Sequence, residues 1–406
     1  MNWLHSAEAR REHLEFLLSE TCAAAEQRQR EALDEAASGS GDRIVIYGSG
    51  GLGRQVLSGL RAHGTEPLAF VDRNPQAWGR TVESLAVLSP EDAVRQFGAN
   101  SLFVIAVWNP AAVPGLHSIA DFLVKMGCRH VAPFAWLFWK YPQNFLPFYL
   151  WDLPSRVLEK ADEVRRGYSL FPGARSQSQF LDHLQFRLTA DFGCLKPPEE
   201  DPQYFPARLF RPRTDECFVD CGAFDGDSLR EFAEWTGGRF RKAIAFEADP
   251  ANFTALERTV DEDNRLRGRA FSIRQAVGLE RCTLRFAASG LASAALSESG
   301  DLEVVCTNLD ESVASEKPTY IKMDIEGAEM DALLGSATLL REHQPTLAIC
   351  AYHLQDHLWR IPKQIHDLMP EAKLILRPHC VDGFDLVCYA LTPGRETDMS
   401  VENLIV

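Results

Sequence analysis

CFVDCGAFDGDSLREF (217–232) is the stretch whose reading decides the fold. An apolar run ends in Asp220, turns through Gly222 and Gly226, and opens into a helical pattern. Strand, glycine turn and helix form the first step of a parallel α/β sheet, where ligands gather beyond the carboxyl ends of the strands. The alternation continues downstream. Strands are expected at 242–248, 270–277, 319–325, 346–352, 372–377 and 385–391, the last with less helix between them, as for an antiparallel edge. After IKMD, the residues Met330, Leu333, Leu334, Ala337 and Leu340 predict one apolar helical stripe that Pro345 stops.

Upstream, RIVIYGSGGLGRQVLSGL (43–60) starts a second pattern of the same kind, followed by strands at 68–74 and 101–109. The expected fold is α/β, with two tandem open, mostly parallel sheets. Residues 1–40 read as amphipathic helix on the spacing of Leu14, Leu17 and Leu18. Residues 41–145 read as a Rossmann-like domain, 146–214 as a helical connector or lid, and 215–406 as the second α/β domain. The N-terminal helices would pair between subunits in a homo-oligomer or pack on their own chain.

The 406 residues carry a formal net charge of −15, which repels phosphate backbones and argues against nucleic acid as a partner. Ten cysteines without a CxxC pair fit a reducing compartment. The N-terminus has no signal-peptide core, and no apolar run reaches the ~20 residues of a membrane span. A cytoplasmic location is the expectation. The run at 131–151 is broken by Lys140, Pro133, Pro142 and Pro147, and reads as an aromatic wall between domains, with a hydrophobic acceptor pocket or a membrane-touching surface as the alternatives.

The turn after Asp220 lacks the G-x-G-x-x-G spacing that lays a pyrophosphate on backbone amides. Asp220 and Asp225 would repel a diphosphate and suit a nucleoside carrying cationic groups, while N–H groups at the helix start would favour a carboxylate. Glu247, ending the next strand, stands where a ribose-binding acid is expected. S-adenosylmethionine combines these features. Residues 204–391 resemble the FkbM-type S-adenosylmethionine-dependent methyltransferases through YFP (204–206), ECFVDCGAFDGDS (216–228), AFEADP (245–250), QAVG (275–278), TNLDE (307–311), YIKMDIEGAEMDALLGS (320–336) and AYH (351–353).

That resemblance implies a class I methyltransferase fold for 215–406. It implies that Asp220, Gly222, Ala223, Asp225 and Gly226 cradle the methionine part of the cofactor. Glu247 would hold the ribose hydroxyls, with Ala248 and Asp249 beside the adenosine and Ala276 and Val277 flanking the adenine. Helix capping is the competing role for Asp225 and Asp249. An alcohol acceptor must lose its proton as it attacks, and Asp324, Glu326 and His353 are the candidate bases. Glu329 reads as a charge at a helix N-terminus. The same carboxylates are candidates to hold Mg²⁺. The expected reaction is O-methylation of a sugar or polyol hydroxyl in glycan or natural-product biosynthesis. A lipid-like or polyketide hydroxyl, or a non-catalytic nucleotide-binding scaffold, are the alternatives.

In the first sheet VIYGSGGLGRQ carries G-x-G-x-x-G as Gly48, Gly50 and Gly53, with Gly51 inside it and Asp72 as a ribose acid. This segment resembles the N-terminal domains of PglD-type sugar acyltransferases. Three roles follow: holding the nucleotide end of a nucleotide-linked sugar acceptor, binding NAD for an oxidation, or assembly alone. VWNPAAVPG (107–115) offers only Trp108 and Asn109 near a hydride acceptor, which disfavours oxidation.

Overall fold

The computed structural model describes residues 6–110, 115–287, 295–296, 302–395 and 397. Short apolar runs bounded by glycine or polar turns form the first sheet. Its strand order is Thr81–Val82, Leu85–Leu88, Ala69–Val71, Ile44–Tyr47, Leu102–Ile105, His130–Pro133. Neighbours run parallel except the Thr81–Val82/Leu85–Leu88 hairpin. The strand order reverses beside Ile44–Tyr47, so the Gly48 turn lies at the switch point of an open sheet.

The second sheet has seven strands, ordered Lys373–Pro378, Leu386–Leu391, Thr346–Cys350, Tyr320–Met323, Cys217–Cys221, Lys242–Phe246, Ala270–Ile273. The five from Thr346–Cys350 to Ala270–Ile273 are parallel, and Leu386–Leu391 is antiparallel to both its neighbours. The expected antiparallel edge is therefore present. The order reverses between Cys217–Cys221 and Tyr320–Met323, and their ends deliver Gly222 and Asp324 side by side.

Two expectations need correction. The run 270–277 is not one strand: Ala270–Ile273 closes the large sheet, while Ala276–Val277 pairs with Leu302–Thr307 in a separate small sheet. The helix after IKMD breaks at Gly335 and Ser336 into Glu329–Leu334 and Ala337–His343. A Cβ on Gly335 would stand 2.2 Å from the Gly278 carbonyl oxygen, so the chain turns to pass that loop. The break shifts the helical phase, leaving Leu334 exposed and burying Leu339 in its place.

The N-terminal chain forms the helices Ala7–Leu17 and Cys22–Ala36, capped by Ser6 and Thr21. Leu14, Leu17, Leu18, Ala25 and Leu33 are buried against this same chain, the first helix on Ala174–Thr189 and the second on Phe134–Lys140 and Pro154–Glu159. Ala174–Thr189 is buried along most of its length and packs on Lys373–Pro378, where Ser176 Oγ accepts the Leu376 N–H at 2.9 Å. It is a strut inside the molecule. The aromatic run holds the strand His130–Pro133 and the helix Phe134–Lys140, and the Phe134, Phe138, Trp139 and Trp151 rings lie within the core. Trp108 joins the halves: its ring lies 4.3 Å from that of Phe384, and its Nε1–H donates to the Asp382 carbonyl at 2.9 Å.

Candidate active site

The glycine turn is shaped by its neighbours. Gly222 has φ of 82°, and a Cβ there would lie 1.9 Å from the Asp324 carbonyl oxygen. No other residue lets the two strand ends approach so closely. Gly222 and Ala223 both give their N–H to the Phe246 carbonyl, at 3.0 Å each. Phe224 N–H goes to Glu247 and Gly226 N–H to the Ala223 carbonyl. Asp227 N–H goes to Asp225, and Ser228 N–H to Asp227. The turn thus satisfies most of its own donors, while the N–H groups of Asp225 and Leu229, at the helix start, have no partner among the described residues.

Asp220 also departs from expectation. Its carboxylate is wholly buried beneath the turn, 3.0 Å from Lys322 Nζ and hydrogen-bonded by the Ser228 hydroxyl. Lys322 in turn donates to the Gly222 carbonyl. Burial raises the Asp220 pKa, with Lys322 opposing that rise. Burial alone would lower the Lys322 pKa, but Asp220 and Asp324 outweigh it and raise it. The pair braces the turn from below and presents no face to a ligand. Ala223 is likewise fully buried. Asp225 accepts from Asp227 N–H and pairs with Arg230 at 3.0 Å, and Asp249 caps Pro250–Glu262 by accepting from Ala251 and Asn252. Asp249 therefore caps its helix, while Asp225 closes the turn that precedes one.

Glu247 keeps a ligand-facing capacity. One oxygen accepts Phe224 N–H at 2.9 Å, the other Asp249 N–H at 2.8 Å. Each carboxylate oxygen has a second lone pair, enough for a vicinal diol. Burial raises its pKa, and the two backbone donors oppose that. Ala248 and Ala276 are partly exposed, whereas Val277 is buried.

Beyond Asp324 lies a knot of acids around two histidines. His353 Nδ1 is 2.8 Å from Glu329, and its Nε2 faces Asp324 at 3.3 Å and Glu326 at 3.8 Å. Glu329 also accepts the N–H groups of Ile325 and Gly327, and its second oxygen is 3.4 Å from His357. It opens the helix Glu329–Leu334, as expected of a charge at a helix N-terminus, and from its fully buried position it also anchors the loop and both histidines. Burial would lower the His353 pKa, yet Glu329, Asp324 and Glu326 overcome it and raise it. Burial would raise the Glu329 pKa, but the histidines pull it down. Burial pushes the Glu326 carboxyl up to about 7, a rise His353 only partly offsets. Burial lowers His357 to about 4, so it is neutral.

Two contacts lay beyond sequence reading. Tyr204 donates its hydroxyl to Asp324 at 2.8 Å. Tyr149 hydrogen-bonds Glu326, which lowers that carboxyl's pKa, and its ring lies 6.4 Å from His353. The aromatic run therefore reaches this site through one residue, held at φ of 50° beside the Phe148–Trp151 bridge.

Asp324, Glu329 and His353 place one potential metal-ligating atom each within 4.8 Å of one another. They do not fit Mg²⁺. That ion wants six oxygens in an octahedron, while this set includes a nitrogen and a Glu329 carboxylate already engaged by two backbone donors and His353.

The seven-stranded order, the glycine turn at its switch point and the acids across from it define a methyltransferase fold. Residues 220–375 match the family model described as "Methyltransferase FkbM domain", and the chain carries that domain there. The crystal structure of Methyltransferase FkbM from Methylobacillus flagellatus KT is similar over 92% of this chain and 99% of that chain, with a TM-score of 0.72 and 22% identity. An rRNA methylase from Streptococcus thermophilus aligns with TM-score 0.30 and 11% identity over 46% of this chain and 90% of that one. The SAH-bound Podospora anserina methyltransferase PaMTH1 aligns with TM-score 0.27 and 13% identity over 58% and 87%. At such scores these two say nothing further of this chain. No curated protein matches it. Among the described residues, no helix is long and apolar enough to cross a membrane.

Proposed function

We propose that this protein methylates a hydroxyl of a sugar or polyol, with S-adenosylmethionine as donor. One observation carries the reading: the Gly222 turn and the Asp324–Glu326–His353 acids meet at the switch point of the methyltransferase sheet. The donor, when bound, supplies an electrophilic methyl on a cationic sulfonium. Glu247 has the lone pairs to take its ribose diol, and the acidic surroundings suit its positive charge.

Proton removal falls to Glu326. His353 is held as an imidazolium by three carboxylates and so has no free lone pair to accept a proton. Its charge stabilises the carboxylates around it and orients Glu326. Glu326, at about 7, is poised to take the acceptor's proton near neutral pH. Tyr149 positions that carboxylate and helps exclude water. The aromatic rings deeper in the run are spent on the core, which disfavours a lipid-sized acceptor pocket there.

Glu326 acts as a base only once deprotonated, so turnover is expected to rise as pH climbs through about 7 and then level. Glu326→Gln should lower kcat by about a hundredfold or more, flatten that profile and leave S-adenosylhomocysteine binding intact. Tyr149→Phe removes a hydrogen bond that lowers the Glu326 pKa, so its pH–rate profile should shift to higher pH. Release of labelled S-adenosylhomocysteine across a panel of glycans and nucleotide-linked sugars measures all three. A Glu326→Gln enzyme with wild-type turnover would remove Glu326 from the reaction.

A further inference from the structure

The start of the helix Gly51–Ala62 is more open than the turn at Gly222. Its cap, Gly50, offers no side chain, and the N–H groups of Gly50, Gly51 and Leu52 have no partner among the described residues. A Cβ on Gly50 or Gly51 would meet nothing within 4 Å, so neither packing nor positive φ demands glycine there. The space they leave is part of a cleft of about 710 Å³, lined also by Tyr47, Asp72, Arg73 and Trp108.

Three more features point to a ligand. The Tyr47 hydroxyl, on a side chain only 1% exposed, has no hydrogen-bond partner among the described residues. Arg73 forms no ion pair among the described residues and lies near enough to act electrostatically on Tyr47. The Asp72 carboxylate is turned into the glycine loop, where it accepts the Ser49 hydroxyl and, on its other oxygen, Asn74 N–H. Open helix-start N–H groups with a cation beside them suit a diphosphate, and a strand-end carboxylate suits a ribose diol.

Trp108 gives this cleft a direction. It lines the cleft, and its ring lies 5.8 Å from Tyr149, which in turn lies 6.4 Å from His353 and bonds Glu326. We infer that the cleft binds a ribonucleoside 5′-diphosphate, and that this is the handle of the methyl acceptor, carried on the far side of Trp108 from the acids that deprotonate it. The second half rests on the methyltransferase reading above.

Gly50→Asp separates the ligand from the fold. Asp is a better helix cap than Gly, and the open space accepts it, so thermal stability should hold or rise. The new carboxylate sits where the diphosphate would lie and should weaken binding by about tenfold or more. The full chain is titrated calorimetrically with UDP, UDP-glucose, ADP, ADP-glucose, NAD⁺ and S-adenosylhomocysteine. Expected are binding of a diphosphate and its sugar conjugate, loss of both in Gly50→Asp, and unchanged S-adenosylhomocysteine affinity. NAD⁺ binding without the sugar conjugates would overturn the acceptor handle. S-adenosylhomocysteine binding with no nucleotide binding, or equal nucleotide binding in Gly50→Asp, would overturn the site itself. Failure of S-adenosylhomocysteine to bind would sink the methyltransferase reading, and the handle with it.

Discussion

Lys322→Met is expected to destabilise the protein by about 3–5 kcal/mol at neutral pH, because it strands the Asp220 carboxylate without its partner in the core. Asp220 is wholly buried, and burial already raises its pKa with the ammonium beside it. Without Lys322 the rise is larger. A carboxyl whose folded pKa exceeds its unfolded value binds its proton more tightly when native, so stability is lost as pH rises through the folded pKa. The variant should therefore recover toward wild type at pH about 4, near the unfolded carboxyl value. Asp220→Asn combined with Lys322→Met should regain much of the loss at neutral pH, since neither charge is left alone. Thermal midpoints of the three chains at two pH values check this. An equal deficit at both pH values, or a double variant weaker than the single, would show that the pair does not brace the turn.

Glu247→Ala is the second large effect, this time on binding. The carboxylate fixes the turn through Phe224 and the following strand end through Asp249. The donor's ribose diol would add two charge-assisted hydrogen bonds, of about 1.5–3 kcal/mol each. S-adenosylhomocysteine affinity should fall by about a hundredfold or more, since 1.4 kcal/mol is tenfold. Glu247→Gln, which keeps one acceptor oxygen, should fall between. Calorimetry on the folded variants reads this directly, and wild-type affinity in Glu247→Ala would take the ribose away from this strand end.

The large features could be read from short apolar runs and their breaks. Asp220, Glu247, Asp324 and His353 each end a strand, which is visible without coordinates. What their side chains meet is a different question. Carboxylates near a turn suggest a cationic ligand for Asp220 and Asp225, yet Lys322 and Arg230 supply that cation from within the chain. Nothing in IKMD marks Lys322 as pointing under the neighbouring strand; its register opposite Asp220 does. Glu329 is legible as a helix-end charge, but its partners, His353 and His357, come from a strand end and a helix that only tertiary packing brings near. Tyr149 was lost among neighbouring aromatics, since most of that run is core and composition cannot single out the ring that is not. The strand His130–Pro133 was hidden for the same reason, as its apolar residues merge with the helix that follows.

On the proposed function, the second sheet holds the methyl donor at its switch point. The most direct test is a crystal structure of the full chain with S-adenosylhomocysteine. Expected are the ribose on Glu247, the adenine beside Ala276 and the sulfur facing Glu326. Density for the nucleoside at Gly48–Gly53, with the Gly222 turn bare, would contradict this placement.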